Sequence, residues 1–276
     1  MAGKSRPAVR LQVLRTQRLT PHMIRVVAGG PGLADFRPNG FADAYVKVVF
    51  PQEGVTYPEP FDMGVVRAEM PREQWPVTRT YTVRWFDRDA GELALDFVHH
   101  GDQGLGGPWA VSARPGDELL LLGPGGAYAP GAEADWHLLV GDESALPAIA
   151  VALESMPEGV PVTALIEVAA PAEEQPLASK GDARIQWLHR SAGDDLVAAV
   201  RGLDFSAGTV QAFVHGEAGF VRELRRFLLD EVGVRKDLLS VSGYWRRGRT
   251  DEEWRAEKAA ERAAEEAAER AAQDGR

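Results

Sequence analysis

His137-Leu138-Leu139-Val140-Gly141-Asp142-Glu143-Ser144-Ala145-Leu146-Pro147 is the stretch on which the fold turns. Residues 137–140 read as a buried-type strand, Gly141 as the break, and 144–155 as a helix that opens behind two acidic residues. Downstream the alternation continues, with strands expected at 162–168, 184–188 and 211–215 and a helix at 218–230. Strands that alternate with helices indicate a parallel sheet.

Upstream the pattern is different. Val9, Leu11 and Val13 alternate with polar residues, and 23–27 and 45–50 are short apolar runs. Residues 51–78 carry Pro51, Pro58, Pro60, Pro71 and Pro76 and read as a long loop. Strands are expected at 79–86 and 92–99 about the turn Asp87-Arg88-Asp89-Ala90-Gly91, and at 118–122 after a glycine-rich stretch. Short strands separated by turns predict a small antiparallel barrel. The expected division is a barrel domain over 1–127, an α/β domain over 132–248 and a helical tail over 249–276, with the boundary in the Gly/Pro stretch 123–131.

In that tail, Thr250 with Glu253 three residues on is a capping-box signature, and 251–272 is alanine-rich without Gly or Pro. Asp251/Arg255 and Glu266/Arg270 are favourable i,i+4 pairs. A solvated helix is the simpler expectation for it, and a packing or gating role the alternative.

Composition removes several chemistries. The 276 residues include no cysteine, which excludes disulfides, thiolate metal sites and a cysteine nucleophile. No apolar run reaches the roughly 18 residues that span a bilayer, and nothing apolar follows the basic start, so the expected place is the cytoplasm. A net charge of −10 disfavours nucleic acid and anionic lipid, so an anionic substrate would need a local basic patch. His99 and His100 are expected to point to opposite faces of a strand, no H-x-x-x-H pairing exists, and no protein-held metal is expected. Ser144 has no histidine partner and no G-x-S-x-G, which speaks against a hydrolase.

Four segments carry possible chemistry. In Arg79-Thr80-Tyr81-Thr82, strand periodicity puts Arg79 and Tyr81 on one face, a guanidinium fork beside a flat ring. Asp96-Phe97-Val98-His99-His100-Gly101 leads into Gly104-Leu105-Gly106-Gly107-Pro108, where glycines let backbone approach a phosphate and a helix starting near Gly107 would aim at it. Gly141 to Pro147 stands where a dinucleotide binds in an α/β domain, yet G-x-G-x-x-G is absent. Ser242-Gly243-Tyr244-Trp245-Arg246-Arg247-Gly248-Arg249 suits an anionic, aromatic ligand. Each taken alone is equally a solvent-facing strand, a surface turn, an acidic helix start or a polar loop.

In order along the chain, these segments and Gly40-Phe41-Ala42-Asp43-Ala44-Tyr45-Val46-Lys47 resemble the siderophore-interacting protein family, a branch of the ferredoxin–NAD(P) reductase-like flavoproteins, over residues 8–254. The resemblance implies a Greek-key flavin-binding barrel, a nicotinamide-binding α/β domain, and a monomeric FAD-dependent reductase of ferric siderophores fed by NADH or NADPH. It implies FAD contacts from Arg79 (pyrophosphate), Tyr81, Thr82, Val98, His100, Gly106 and Gly107. Asp142, Glu143, Ser144, Gly216 and Glu217 would face the nicotinamide, and Lys47, Arg246 and Arg247 the siderophore. The chain departs from the family's G-P-A after His-Gly, reading Gly104-Leu105-Gly106-Gly107 with proline moved to 108. Glu167, Glu173 and Glu174, with no cation before Lys180, would repel a 2′-phosphate, so NADH is the expected donor. Two rivals remain open: an NADH:flavin oxidoreductase with another acceptor, and a non-catalytic siderophore-binding protein.

Overall fold

The structure is a computed structural model and describes residues 8–101, 104–206, 208–254, 256–258 and 260. Six strands form the first body: β1 (Val9–Thr20), β2 (Met23–Gly29), β3 (Tyr45–Phe50), β4 (Val77–Asp87), β5 (Glu92–Val98) and β6 (Glu118–Gly125). They close into a barrel in the order β1-β2-β5-β4-β3-β6, with antiparallel neighbours throughout. Closure follows from the alternation in the sequence. Val9, Leu11 and Val13 point inward on β1 and meet Phe97, Leu93 and Leu95 from β5 and Phe36 from the β2–β3 connection. A closed barrel leaves no unpaired strand edge.

The second body is a five-stranded parallel sheet in the order β11-β10-β7-β8-β9. Its strands are β7 (Trp136–Asp142), β8 (Pro161–Val168), β9 (Asp182–His189), β10 (Val210–Glu217) and β11 (Leu239–Trp245). All of β7 is buried, as befits a central strand covered on both faces. The strand order reverses at β7, so its carboxyl end is the switch point where open α/β sheets bind ligands.

The helices are α1 (Met63–Glu69), α2 (Gly106–Ser112), α3 (Leu146–Glu154), α4 (Leu196–Arg201) and α5 (Ala218–Arg226). The first corrects the expected loop over 51–78. Asp62 caps α1 by accepting the Gly64 N–H at 2.6 Å, and Met63 and Val66 pack with Phe61, Val49 and Leu120. The prolines lie outside it and leave it free to form. The helix expected from 144 starts at Leu146, because Asp142 takes the Ser144 N–H (2.9 Å) and hydroxyl (2.5 Å) in a turn. Beyond α5 the helix widens to a π-helix over Phe227–Val232 and ends at Gly233, whose φ of 82° suits glycine. The aromatic–arginine segment from 242 is, up to Trp245, the end of edge strand β11. His99 and His100 lie just past the end of β5 rather than on a strand.

Among the described residues, polar contacts at Glu173 and at Arg84 join the bodies. Glu173, only 3% exposed, accepts from the Thr20 hydroxyl (2.5 Å) and the His22 N–H (3.2 Å) and also meets His22 Nδ1 (2.5 Å). Those hydrogen bonds outweigh the penalty of burial and hold its carboxyl below the usual carboxylate range. Arg84 on β4 forms a two-pronged pair with Glu154 on α3, at 2.5 and 2.9 Å.

The start of the tail is docked, not solvated. The capping box forms, with Glu253 accepting the Thr250 N–H at 2.9 Å and Thr250 accepting the Glu253 N–H at 3.2 Å. Residues 251–254 and 256–258 are helical. Trp254 is 5% exposed against Gly243 and Ala218, and Lys258 donates to the Gly243 carbonyl at 2.7 Å. The expected pairs Asp251/Arg255 and Glu266/Arg270 involve side chains outside the described residues. Among the described residues no helix is long and apolar enough to cross a membrane.

Candidate functional site

On β4, Arg79 and Tyr81 share a face, as the period of two requires. The Arg79 side chain is 14% exposed, and its guanidinium donates to the Thr78 carbonyl at 3.1 Å. The Tyr81 ring covers Phe97 with centroids 4.0 Å apart, and its hydroxyl lies where a Cβ on Gly106 would be. Burial drives the Tyr81 hydroxyl pKa above its ordinary value, although the Arg79 charge pulls the other way, so it stays protonated and able to donate. Gly107 approaches the Val98 carbonyl and His99 so closely that a Cβ would stand 2.9 Å from the former. The structure thus brings Arg79, Tyr81, Val98, Gly106 and Gly107 together where β4, β5 and α2 meet. Thr82 is buried on β4 opposite Tyr45 of β3. His100 is exposed at its tip and stacks on His22 with ring centroids 6.3 Å apart.

FAD needs a cation for its diphosphate, a flat apolar surface and a close backbone approach. Arg79, Tyr81 and the Cβ-free pair Gly106–Gly107 supply these three. The donor set fits the group, and both glycines are buried, Gly106 beneath the Tyr81 hydroxyl and Gly107 against the Val98 carbonyl.

On the sheet, the carboxyl ends of β7 and β10 are organised around Asp142. Its carboxylate is 1% exposed and accepts from Ser144, from the Glu217 N–H (2.8 Å) and from Trp245 Nε1 (2.8 Å). Burial pushes its pKa up against those hydrogen bonds. Gly216 has φ 138°, and a Cβ there would stand 2.7 Å from Phe220 and 2.8 Å from Asp142, so only glycine fits. Glu217 caps α5 through the Gly219 N–H at 2.6 Å. Glu143 accepts the Ala169 N–H at 2.8 Å and pairs with Arg190. Asp142 ties three strand ends together from inside, and Glu143 and Ser144 are likewise engaged within the fold.

Two features of this side had no motif in the sequence. Arg190, just after β9, is clasped by Glu143 and by Glu167 (2.9 Å), which raise its pKa despite the opposing effect of burial. His215 is buried, stacks on Phe213 at 3.7 Å, and shares its two nitrogens between the Tyr244 and Ser240 hydroxyls, each 2.9 Å away. Tyr244 in turn feels the charges of Asp43 and Asp142 and lies near Tyr45, so it stands between the sheet and the barrel.

The three cations expected to form one siderophore patch have three different surroundings. Lys47 stands on β3 opposite Thr80 and Leu122. Arg246 pairs with Glu257 at 2.6 Å and lies 5.9 Å over the Trp254 ring. Arg247 lines a cavity of about 430 Å³ at the strand ends, shared with Glu167, Asp194, Asp195, Glu217 and Phe220.

Comparison with known proteins agrees with this architecture. Residues 12–128 match the profile of the siderophore-interacting FAD-binding domain, and residues 134–248 that of the siderophore-interacting protein. The ferric vibriobactin reductase of Vibrio cholerae is 32% identical over 260 residues, covering 90% of this chain and 93% of that one. The NADPH-dependent ferric-chelate reductase of Escherichia coli is 33% identical over 242 residues, covering 85% of this chain and 91% of that one. A siderophore utilization protein from T. fusca, solved by crystallography, superposes with a TM-score of 0.76 at 39% identity, covering 90% of this chain and 97% of that one.

Proposed function

The chain belongs to the siderophore-interacting protein family, and from that premise we propose that it is a FAD-dependent reductase of ferric siderophores. The observation that carries the reading is the Arg79–Tyr81–Gly106 cluster on a closed barrel, in a chain whose second body is a parallel sheet with its switch point at β7. Bound FAD would supply the redox chemistry that links a two-electron hydride donor to a one-electron Fe(III) acceptor. The chain's own residues bind and orient. Arg79 neutralises the diphosphate, Tyr81 offers a ring and a protonated hydroxyl, and Thr82 follows on the same strand. Gly216 lets the end of β10 come close to the donor, held in place by Asp142. No general base is required, and none is needed from His215, which burial keeps neutral. Reduction weakens the hold of anionic oxygen ligands on iron, which favours its release.

The cytoplasm is the compartment we assign, where reduced nicotinamide is at hand. NADH is the favoured donor in this reading. The cavity at the strand ends sets the carboxylates of Glu167, Asp194, Asp195 and Glu217 against the cation of Arg247, and the nearby Arg190 is already matched by two carboxylates. A 2′-phosphate would have to displace one of them.

The purified protein is expected to show a flavin spectrum that NADH bleaches and a ferric siderophore restores without oxygen. Stopped-flow spectroscopy follows both half-reactions. A flavoprotein that NADH reduces but that ferric siderophores reoxidise no faster than simple acceptors would assign it to another oxidoreductase class. A colourless protein that binds the siderophore tightly would make it a carrier.

A further inference from the structure

The Arg79 guanidinium is not left for a cofactor alone. The first turn of the tail lays Asp251 against its Nη1 at 3.0 Å and Glu252 against its Nη2 at 2.6 Å. These carboxylates come from 172 and 173 positions further along the chain, and nothing in the barrel requires them. They are delivered by the tail's other anchors: the buried Trp254, the Lys258–Gly243 hydrogen bond and the Arg246–Glu257 pair. Asp251 also stands close enough to Tyr81 to raise its pKa, so the acidic turn reaches the cradle itself. The two acidic side chains are 32% and 64% exposed, and the Asp251 Oδ2 that meets Arg79 is itself buried.

We propose that Asp251 and Glu252 are determinants of cofactor affinity, closing the Arg79 fork with a pair of carboxylates that the diphosphate of FAD must displace. This rests on the reading of Arg79 as the diphosphate-binding residue. A guanidinium offers a flat fork of donors that fits two carboxylate oxygens or two phosphate oxygens equally well. It does not hold both at full strength, because the anions repel each other across it. The tail thereby keeps the cation matched while the cradle is open and sets how readily FAD enters. It also couples the position of the tail to occupancy of the barrel, two parts of the chain with no shared strand.

The test is FAD titration of the full-length apoprotein, followed by flavin fluorescence quenching and by calorimetry. Asp251→Asn/Glu252→Gln is expected to bind FAD about five- to tenfold more tightly than the parent, equivalent to about 1–1.4 kcal/mol. Glu257→Gln removes one negative charge from the same tail but touches Arg246, not Arg79, and is expected to leave FAD affinity within about twofold. With Arg79→Gln as background, the tail substitutions should have no further effect on FAD affinity. Equal or weaker binding by the Asp251/Glu252 variant overturns the proposal, weaker binding meaning that the pair positions Arg79 instead. Equal tightening by Glu257→Gln also overturns it, as an effect of net charge. Failure of every version to bind FAD would sink the cofactor reading instead, whereas loss of only the difference between them sinks this proposal.

Discussion

At the barrel's rim one cation, Arg79, is held by a strand and closed over by carboxylates from the far end of the chain. At the sheet's rim the arrangement is inverted. Asp142 and Glu143 are held by backbone N–H groups and by Ser144 and Trp245, and the cation Arg190 is clamped between Glu143 and Glu167. The barrel presents its charge through a side chain that a ligand can take over. The sheet locks its charges inside and presents backbone, at Gly216 and at the turn after β7. An anionic cofactor retained between turnovers suits the first arrangement. A donor that must leave after each hydride suits the second, because its binding should be modest and its geometry fixed.

The contrast breaks most directly at Arg79. Arg79→Ala removes the charged contact on which the barrel side depends, at a cost of about 1.5–3 kcal/mol, or roughly 10- to 100-fold in FAD affinity. Thermal unfolding of the apoprotein should change less, since the Arg79 pairs reach one half-buried and one exposed carboxylate. FAD titration and a melting curve measure both. Unchanged FAD affinity would remove Arg79 from the site.

The sheet side should answer to pH, not to cofactor. Burial, helped by the nearby Lys258 charge, depresses the His215 pKa from 6.5 to about 3. A depressed value means that the unfolded chain takes up the proton first. Its contribution to stability is therefore complete above pH 6.5 and is lost progressively as pH falls towards 3. By pH 5 the loss is about 2 kcal/mol. Burial lowers the pKa of His137 and His100 as well, so both add in the same direction. His215→Gln should be less stable at pH 7, yet lose about 2 kcal/mol less than the parent between pH 7 and pH 5 in urea unfolding. Parallel losses in the two proteins would show that His215 titrates normally.

How much of this was legible in the residues depends on range. The strand–helix turn at Gly141 and the alternation of Val9, Leu11 and Val13 encode local periodicity, and the structure follows them. Helix α1 escaped because five prolines nearby read as loop, although Asp62 followed by an apolar Met63 and Val66 was a cap and a core face. Arg79, Tyr81 and the glycines declared themselves by residue type. The partners of Arg79 and Arg190 did not, because a salt bridge across 173 or 23 residues leaves no pattern in a single sequence. The partners of Asp142, at Glu217 and Trp245, are hidden for the same reason. An acidic residue before a helix has one appearance whether it faces a ligand or holds three strand ends.

A smaller change should come from loosening the clamp on the sheet side. Glu167→Gln leaves Arg190 paired with Glu143 alone and makes part of its charge available to a 2′-phosphate. Stopped-flow reduction should then show the NADPH-to-NADH ratio of kcat/KM rising about three- to tenfold, or about 0.7–1.4 kcal/mol. FAD affinity should not move, because the clamp lies on the other body. If NADPH is already the better donor in the parent protein, the acidic lining does not set donor choice and the NADH reading falls.

The smallest expected effect concerns the acceptor and sharpens the comparison from the tail. Glu257 accepts from Arg246 at 2.6 Å and stands 3.7 Å from Arg249, so two of the cations in the aromatic–arginine segment are balanced in place. A protein of net charge −10 attracts an anionic ferric complex only through such local cations. Glu257→Gln lifts the balance without touching the cradle. Its kcat/KM for an anionic ferric siderophore should rise about two- to threefold at low ionic strength, as expected for one surface charge. Towards 1 M salt, where the screening length is about 3 Å, the difference should vanish. For a neutral ferric complex it should be absent at any salt. A gain that persists in high salt, or that appears equally with the neutral complex, would mean that the substitution acts by shifting the tail, and that Arg246 is a structural cation held over Trp254. In that case recognition of the acceptor would fall to Lys47 and the barrel, and the sheet would serve the donor alone.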